Sequence, residues 1–424
     1  MSELHVVEIC AGAGGQALGL ERAGFEHDLA VELDPNACTT LRSNRPDWKV
    51  VQGDVASPDV WRPEAYRGKV DLLAGGVPCP PFTIAGKQLG ATDERDLFAW
   101  AVSLVKTVQP RALLLENVRG LSANRFAAYR QHVLDELRKQ GYVASWRLLQ
   151  ASSFGVPQLR PRFVLVALQH EYAEYFSWPE PLDTPAPTVG ETLVGLMGSN
   201  GWEGADDWAK GASAIAPTVV GGSKKHGGAD LGPTRAKAAW AKLGVDAMGV
   251  GNAPPEAGWV VPDGKPGPKL TCEMVSLIQG WKKGEWTFTG GKTTQYRQIG
   301  NAFPPPVAEE VGRSIRLALT KQGKRVELVE TTEVIHDPVY KLLRSATRPV
   351  GMSQIITRLQ KGGVELTEPE VERHLAHLER DFLIERETRS GGAYAYTLGE
   401  FKAFVGQEGH ERHELFAVNK AKIS

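Results

Sequence analysis

Cysteine is scarce in this chain: there are four in 424 residues, Cys10, Cys38, Cys79 and Cys272, widely spaced and without a CxxC pair. That spacing excludes a disulfide framework and a cysteine zinc site, so each thiol is judged alone and no metal is expected. Long apolar runs are missing too. No stretch of about 18 apolar residues occurs, and acids and glycines interrupt the first twenty positions, so a cytoplasmic protein without a membrane span is expected. Charge of one sign is also lacking, since 49 Lys and Arg against 50 Asp and Glu leave a net charge of −1. Any nucleic-acid partner must then be held by a local basic surface rather than by a basic protein. With 42% hydrophobic residues the chain has an ordinary globular balance, enough for two or three domains.

What is present is alternation. Residues 4–10 (LHVVEIC) form a short apolar run of buried-strand type, followed at once by Gly12, Gly14 and Gly15 and a helical stretch to about Ala23. Residues 29–33, 49–52, 70–74 and 112–116 read as further strands, and 163–168 as another. Between them, residues 93–108 place Leu97, Phe98, Ala101, Leu104, Val105 and Val108 on one helical face. A second helix over 125–140 is closed by Gly141. Such alternation predicts an α/β fold with a parallel sheet covered on both faces, and ligands bind outside the carboxyl edge of such a sheet. Residues 179–268 contain 11 prolines and 17 glycines, but Trp202, Trp208, Trp240 and Trp259 lie among them. Disordered segments are poor in large aromatics, so an ordered, loop-rich insert is expected. The organisation reads as an opening catalytic segment over residues 1–170, the insert 171–270, a return 271–322, a linker 323–335, a C-terminal unit 336–400 and a solvated tail 401–424.

The chemistry gathers at strand ends. The glycine cluster suits a backbone turn that approaches a nucleotide-like ligand at a helix N-terminus. Glu32, 20 residues after Gly12, stands where an acid can bind ribose hydroxyls, and Asp54 where one can meet an adenine amino group. An adenosine-containing cofactor follows, with a dehydrogenase and a methyltransferase both open. The fourth strand runs into Gly75-Gly76-Val77-Pro78-Cys79-Pro80-Pro81-Phe82-Thr83, where flanking prolines stiffen a loop that carries a thiol. A free thiol is only slightly ionised near neutrality, so a nucleophile here needs local activation. The fifth strand ends in Leu115-Glu116-Asn117-Val118, which puts Glu116 on the same rim. An acid beside a nucleophilic thiol fits addition to an electron-poor ring, with the acid protonating as the thiol attacks. Arg160 and Arg162, at spacing two before an apolar strand, point the same way if extended and offer donors to a phosphate or a ring oxygen.

Taken in order, these motifs resemble the DNA cytosine-C5 methyltransferase family of bacterial restriction-modification type. The resemblance is carried by Glu8-Ile9-Cys10-Ala11-Gly12-Ala13-Gly14-Gly15, Glu32, Gly53-Asp54, Pro78-Cys79, Glu116-Asn117-Val118, Gln158 with Arg160 and Arg162, Gln279-Gly280 and Gln298-Ile299-Gly300-Asn301-Ala302. It covers residues 1 to about 320. It implies a Rossmann-like, doubly wound sheet that binds S-adenosylmethionine through Cys10, Ala11, Gly12, Gly14, Gly15, Glu32, Leu33, Asp54, Val55, Pro78 and a supporting Asn301. It further implies that Cys79 adds to C6 of a cytosine flipped out of duplex DNA, while Glu116 contacts N3 and the exocyclic amine. Arg162 would contact the base oxygen O2, with Arg160 near the same pocket. Thr83, Gly86, Lys87 and Gln88 are candidates to follow the DNA strand. The family usually carries an aromatic where Cys10 stands, and Val77 and Pro80 also depart from its pattern; Cys38 and Cys272 are read as structural.

The insert falls where this family keeps its target-recognition region. Residues 221–242 hold Lys224, Lys225, Arg235, Lys237 and Lys242 against the single acid Asp230, which suits phosphates and major-groove base edges. Three helical stretches and a hairpin over 336–400 resemble a small winged-helix α+β module, for DNA or for protein. His374, His377, His410 and His413 have no cysteine or acid to complete a metal site. The expected protein is a monomeric enzyme acting on double-stranded DNA, paired in function with a restriction endonuclease or another defence system. The alternatives are a tRNA cytosine-C5 methyltransferase and a catalytically silent DNA-binding regulator.

Overall fold

The computed structural model describes residues 3–78, 94–221, 229–389 and 392–402. The first half alternates as the pattern predicts: β1 (Leu4–Ile9), α1 (Gly15–Arg22), β2 (Phe25–Glu32), α2 (Pro35–Asn44), β3 (Val50–Gln52), β4 (Leu72–Gly75), α3 (Glu94–Val108), β5 (Ala112–Val118), α4 (Ala127–Lys139), β6 (Tyr142–Gln150) and β7 (Pro161–Gln169). α2 illustrates the local logic. Asp34 caps it by accepting from the amides of Asn36 and Ala37, and Pro35, with its fixed φ and missing donor, occupies the first turn.

Seven strands form one sheet in the order β3-β2-β1-β4-β5-β7-β6. β1 pairs in parallel with β2 and β4, and β4 with β5, but β7 runs antiparallel to β5. The expectation of an all-parallel sheet is therefore corrected to a mixed one. The cause is the connection between β6 and β7. Residues 151–160 hold only one 3-10 turn, too short for the crossover that parallel neighbours require. β6 carries no clear strand signal in the sequence because it alternates only partly and keeps polar residues among its apolar ones. The central strands are buried on both faces, which explains their continuous apolar runs. One polar pair sits among them: Glu8 Oε2 lies 3.0 Å from His27 Nε2, both side chains are fully buried, and the His27 ring stacks on Trp48.

The second half continues with α5 (His170–Ala173), α6 (Val189–Met197), α7 (Ala205–Gly211), α8 (Thr234–Lys242), α9 (Cys272–Ile278), α10 (Lys292–Asn301) and α11 (Pro305–Leu319). The loop-rich insert is packed into a hydrophobic cluster that it shares with Leu18, Leu41, Trp281 and Trp286: Trp240 is fully buried, and Trp202 meets Trp259 edge to face at 5.0 Å. α11 returns to α1 at very short range. A Cβ on Gly19 would lie 2.5 Å from both Ala308 Cβ and the Pro305 carbonyl, and one on Gly312 would lie 2.8 Å from Ala23 Cβ.

The chain divides into two compact units. The first comprises the described residues of Met1–Val77, Val108–Arg119 and Trp146–Leu328. The second comprises those of Pro78–Thr107, Gly120–Ser145 and Val329–Ser424, and it contains α12 (Pro338–Ser345), β8 (Val350–Gly351), α13 (Met352–Lys361), α14 (Glu368–Leu378), β9 (Phe382–Thr388) and β10 (Tyr394–Phe401). Its three strands form an antiparallel sheet, β8-β10-β9. This C-terminal segment is fastened to α4. Tyr129 packs on Phe401 at 4.7 Å, Arg344 binds both oxygens of Asp135, and Arg130 binds Glu333. Among the described residues no helix is long and apolar enough to cross a membrane, and no cluster of His, Cys, Asp or Glu could hold a metal ion.

Candidate active site

The sheet order reverses about β1 and β4, and the motif residues collect at the carboxyl ends of its strands, where open α/β sheets leave a crevice. After β1 the backbone turns through left-handed conformations at Cys10 (φ 51°), Gly12 (φ 56°) and Gly14 (φ 93°). A Cβ on Gly12 would meet nothing within 4 Å, so open space lies beside this peptide. Gly14 and Gly15 are small for a different reason. Cβ atoms there would lie 2.4 Å from the Trp286 ring and from the Phe303 carbonyl, and the Trp286 indole N–H donates to Ala13 O at 2.9 Å. The turn is thus clamped from outside by the 281–303 region, and nothing in the sequence pattern marks Trp286 for that task.

Glu32, at the end of β2, accepts from the amides of Gly12 and Asp34, each at 2.8 Å. Burial pushes its carboxyl above the usual range, and these amides oppose the shift. Leu33 beside it is 56% exposed, an apolar surface turned to solvent. Asp54 holds the Ala56 amide with Oδ1, while its Oδ2 is buried with no partner. Ala11 and Val55 are buried, and the Val55 carbonyl accepts from the Trp61 indole at 2.6 Å.

Beyond β4, Gly76 keeps the chain close to two polar atoms, since a Cβ there would stand 3.6 Å from both the Cys10 carbonyl and Glu116 Oε2. Asn117 Nδ2 donates to Val77 O at 3.2 Å, and its Oδ1 accepts from the Val118 amide. It therefore pins the peptide that leads into Pro78, which is exposed. In the sequence Asn117 is only a letter of a motif, because its hydrogen-bonding role depends on a partner 40 residues away. Cys79, Thr83, Gly86, Lys87 and Gln88 lie outside the described residues, as do Lys224 and Lys225.

Glu116 and Arg162 come together: Arg162 Nε stands 2.6 Å from Glu116 Oε1, and both side chains are about nine-tenths buried. Burial pushes the Glu116 carboxyl above its ordinary range, with Arg162 and then Arg160 pulling against the shift. Arg160, two residues earlier, is near enough to act on Glu116, but its guanidinium is bound to other groups. Its Nη1 donates to Val219 O at 2.6 Å and its Nη2 to Gly300 O and Ala302 O at 2.7 and 2.9 Å. Asn301 is exposed at the end of α10. On α8, Arg235 and Lys242 are exposed, whereas Lys237 binds Asp230 at 2.8 Å. The Cys38 thiol is buried and pushed up to about 11, and burial raises Cys272 as well, so neither is poised as a nucleophile.

A carboxyl held high by burial at the end of β5, an arginine beside it at the start of β7 and a glycine turn after β1 fit the family resemblance, and comparison with known proteins decides it. Residues 4–317 match the family described as C-5 cytosine-specific DNA methylase. The chain belongs to that family. This DNA (cytosine-5-)-methyltransferase is 62% identical to the type II methyltransferase M.NaeI of Lentzea aerocolonigenes across the whole of both chains. It is 50% identical to M.NgoMIV of Neisseria gonorrhoeae over 75% of this chain and 98% of that protein. In fold the methyltransferase is similar to EhMeth of Entamoeba histolytica, at 13% identity and TM-score 0.51, covering 76% of this chain and 99% of that one. A putative DNA modification methyltransferase from an Escherichia coli prophage has 20% identity and TM-score 0.50, with 75% and 99% covered. The methyltransferase family match ends before α12, so the C-terminal segment lies outside it.

Proposed function

We propose that this methyltransferase is the modification enzyme of a type II restriction-modification system, methylating C5 of a flipped-out cytosine within one duplex sequence. The Glu116–Arg162 pair is the observation that carries the reading, because it unites a proton donor and a cation, the two groups that thiol addition to a cytosine ring requires. The full-length likeness to a type II methyltransferase supports the biological setting, in which a cognate endonuclease is the functional partner.

S-adenosylmethionine, the family's methyl donor, supplies an electrophilic methyl group when bound. The residues present fit it. Open space beside Gly12 leaves room for the ligand at the glycine turn, and the unpartnered Asp54 Oδ2 suits an adenine amino group. Glu32 retains acceptor capacity for a ribose hydroxyl, since an ionised carboxylate has about four lone-pair sites and the amides of Gly12, Asp34 and Leu33 use three. Exposed Leu33 offers an apolar wall to the adenine ring.

For the base, Cys79 Sγ forms a bond to C6 while the Glu116 carboxyl gives its proton to N3. Arg162 holds the resulting carboxylate and donates toward O2. C5, now electron-rich, takes the methyl group. A base removes the C5 proton, the Sγ–C6 bond breaks to release thiolate, and N3 returns its proton to Glu116. Burial that favours protonated Glu116 serves the first of these steps. The target-recognition role belongs to the insert 171–270, and the winged-helix-like C-terminal unit is accessory to transfer.

The test is transfer of labelled methyl to duplex DNA and to tRNA, with Cys79→Ala alongside. Incorporation into duplex DNA that disappears in Cys79→Ala is expected. Label in tRNA alone, or activity surviving in Cys79→Ala, refutes the substrate or the adduct respectively.

A further inference from the structure

Three buried side chains form a polar clamp far more elaborate than base contact requires. Gln158, Arg160 and Gln279 are each no more than 1% exposed. Gln158 Oε1 accepts from the Val219 amide at 2.7 Å, and Arg160 Nη1 donates to the same residue's carbonyl at 2.6 Å, so both peptide groups of Val219 are held by side chains from the approach to β7. Gln158 Nε2 donates to Gln279 Oε1 at 2.7 Å and to Ile278 O at 3.1 Å, and Gln279 Nε2 donates to Ile299 O at 2.7 Å. With Arg160 also on Gly300 O and Ala302 O, three side chains join the insert, the end of α9 and the end of α10. The backbone alongside agrees. The Ala216 amide donates to Pro157 O, the Leu159 amide donates to Ala216 O, and Thr218 Oγ1 donates to Leu159 O. Close approach is enforced by glycine on both sides, since a Cβ on Gly300 would lie 2.5 Å from Gly221 Cα and one on Gly221 the same distance from Asn301 Oδ1.

We propose that Arg160 is a positioning residue for DNA recognition: with Gln158 and Gln279 it locks insert residues 216–221 onto the end of α10, while Arg162 alone serves the base. This rests on the reading that the insert contacts the target sequence. The physical argument is that both Nη groups are committed while only the buried Nε lacks a partner. Arg160's two Nη groups already hold three carbonyls in a buried setting, and a buried guanidinium released from them to reach a base would leave those carbonyls unpaired. A segment held at both its amide and its carbonyl has a defined place on α10, which fixes where residues 216–221 of the insert lie.

Arg160→Lys keeps the cation but cannot fork across three carbonyls, and Arg160→Met removes every donor; Arg162→Ala serves as the contrast. Bisulfite sequencing of DNA from expressing cells is expected to show Arg160 variants modifying sequences one base pair away from the wild-type target, together with a rise of roughly tenfold or more in KM for duplex. Their fall in kcat is expected to be far smaller than that of Arg162→Ala. If Arg160→Met does not fold by circular dichroism, Arg160→Lys carries the measurement. A kcat loss in Arg160→Lys equal to that of Arg162→Ala, with target and KM unchanged, overturns the proposal. Photo-cross-linking of halogenated duplex separates the two premises. Absence of any adduct within 171–270 overturns the insert's recognition role, whereas adducts inside it with unaltered specificity in Arg160→Lys overturn the clamp alone.

Discussion

Substituting alanine for a helical glycine should move stability in opposite directions at two positions of this enzyme. Gly195 lies on the exposed side of α6, and a Cβ there meets nothing within 4 Å. Gly195→Ala should gain most of the helix-propensity difference, about 0.5–1 kcal/mol. Gly19 lies in α1 where α11 crosses it. The added methyl would stand 2.5 Å from Ala308 Cβ and from Pro305 O, and 2.8 Å from the Glu309 amide. Two of these three neighbours are backbone atoms that no rotamer change can withdraw, so the helices must separate. Overpacking of this kind costs about 1–3 kcal/mol and outweighs the same propensity gain. The expected balance for Gly19→Ala is a loss of about 1–2 kcal/mol, equivalent to roughly 2–6 °C in Tm for a unit of this size. Thermal unfolding followed by tryptophan fluorescence reads both variants with one probe, since Trp240, Trp281 and Trp286 belong to a single buried cluster. Because α1 begins at the glycine turn, Gly19→Ala should also weaken S-adenosylmethionine binding in calorimetry, and Gly195→Ala should not. A Gly19→Ala protein as stable as the parent would refute the close-packing argument, as would a shift of the same sign in both variants.

Three further outcomes follow from the site and its surroundings. Glu116→Gln should lower kcat by about 10²–10⁴, and in the parent kcat should decline as pH rises through the elevated Glu116 value; a flat profile in single-turnover assays contradicts its role as proton donor. Asp54→Asn places an amide donor where Oδ2 now lacks a partner, so the dissociation constant for S-adenosylmethionine should rise about tenfold, and unchanged affinity would remove Asp54 from the adenine site. Burial raises the Glu8 carboxyl in the folded state above its unfolded value, against the His27 interaction. Its stabilising contribution is full below the ordinary carboxylate range and is lost as pH rises through the folded value. Glu8→Gln should therefore gain stability relative to the parent as pH rises, and identical pH slopes in urea unfolding would disprove the linkage.

The sequence by itself determined the alternation of strand and helix, the glycine turn and the order of the motifs, because these are local. Apolar runs announce strands buried on both faces, as in β5 and β7, and strand-end acids such as Glu32, Asp54 and Glu116 need only be counted along the chain. Periodicity likewise drew α3, α4 and the C-terminal helices to within a few residues. Tertiary structure decided the direction of β7, since a strand carries no mark of its neighbour's orientation. It also decided which groups two arginines of identical chemistry bind. Arg160 and Arg162 are indistinguishable by spacing, yet one meets a carboxylate on the adjacent strand and the other three carbonyls from 59 to 142 residues away. The partners of Asn117, Gln158, Gln279 and Trp286 were invisible for the same reason. A hydrogen bond is a relation between two groups, and its second member becomes known only when the chain has folded.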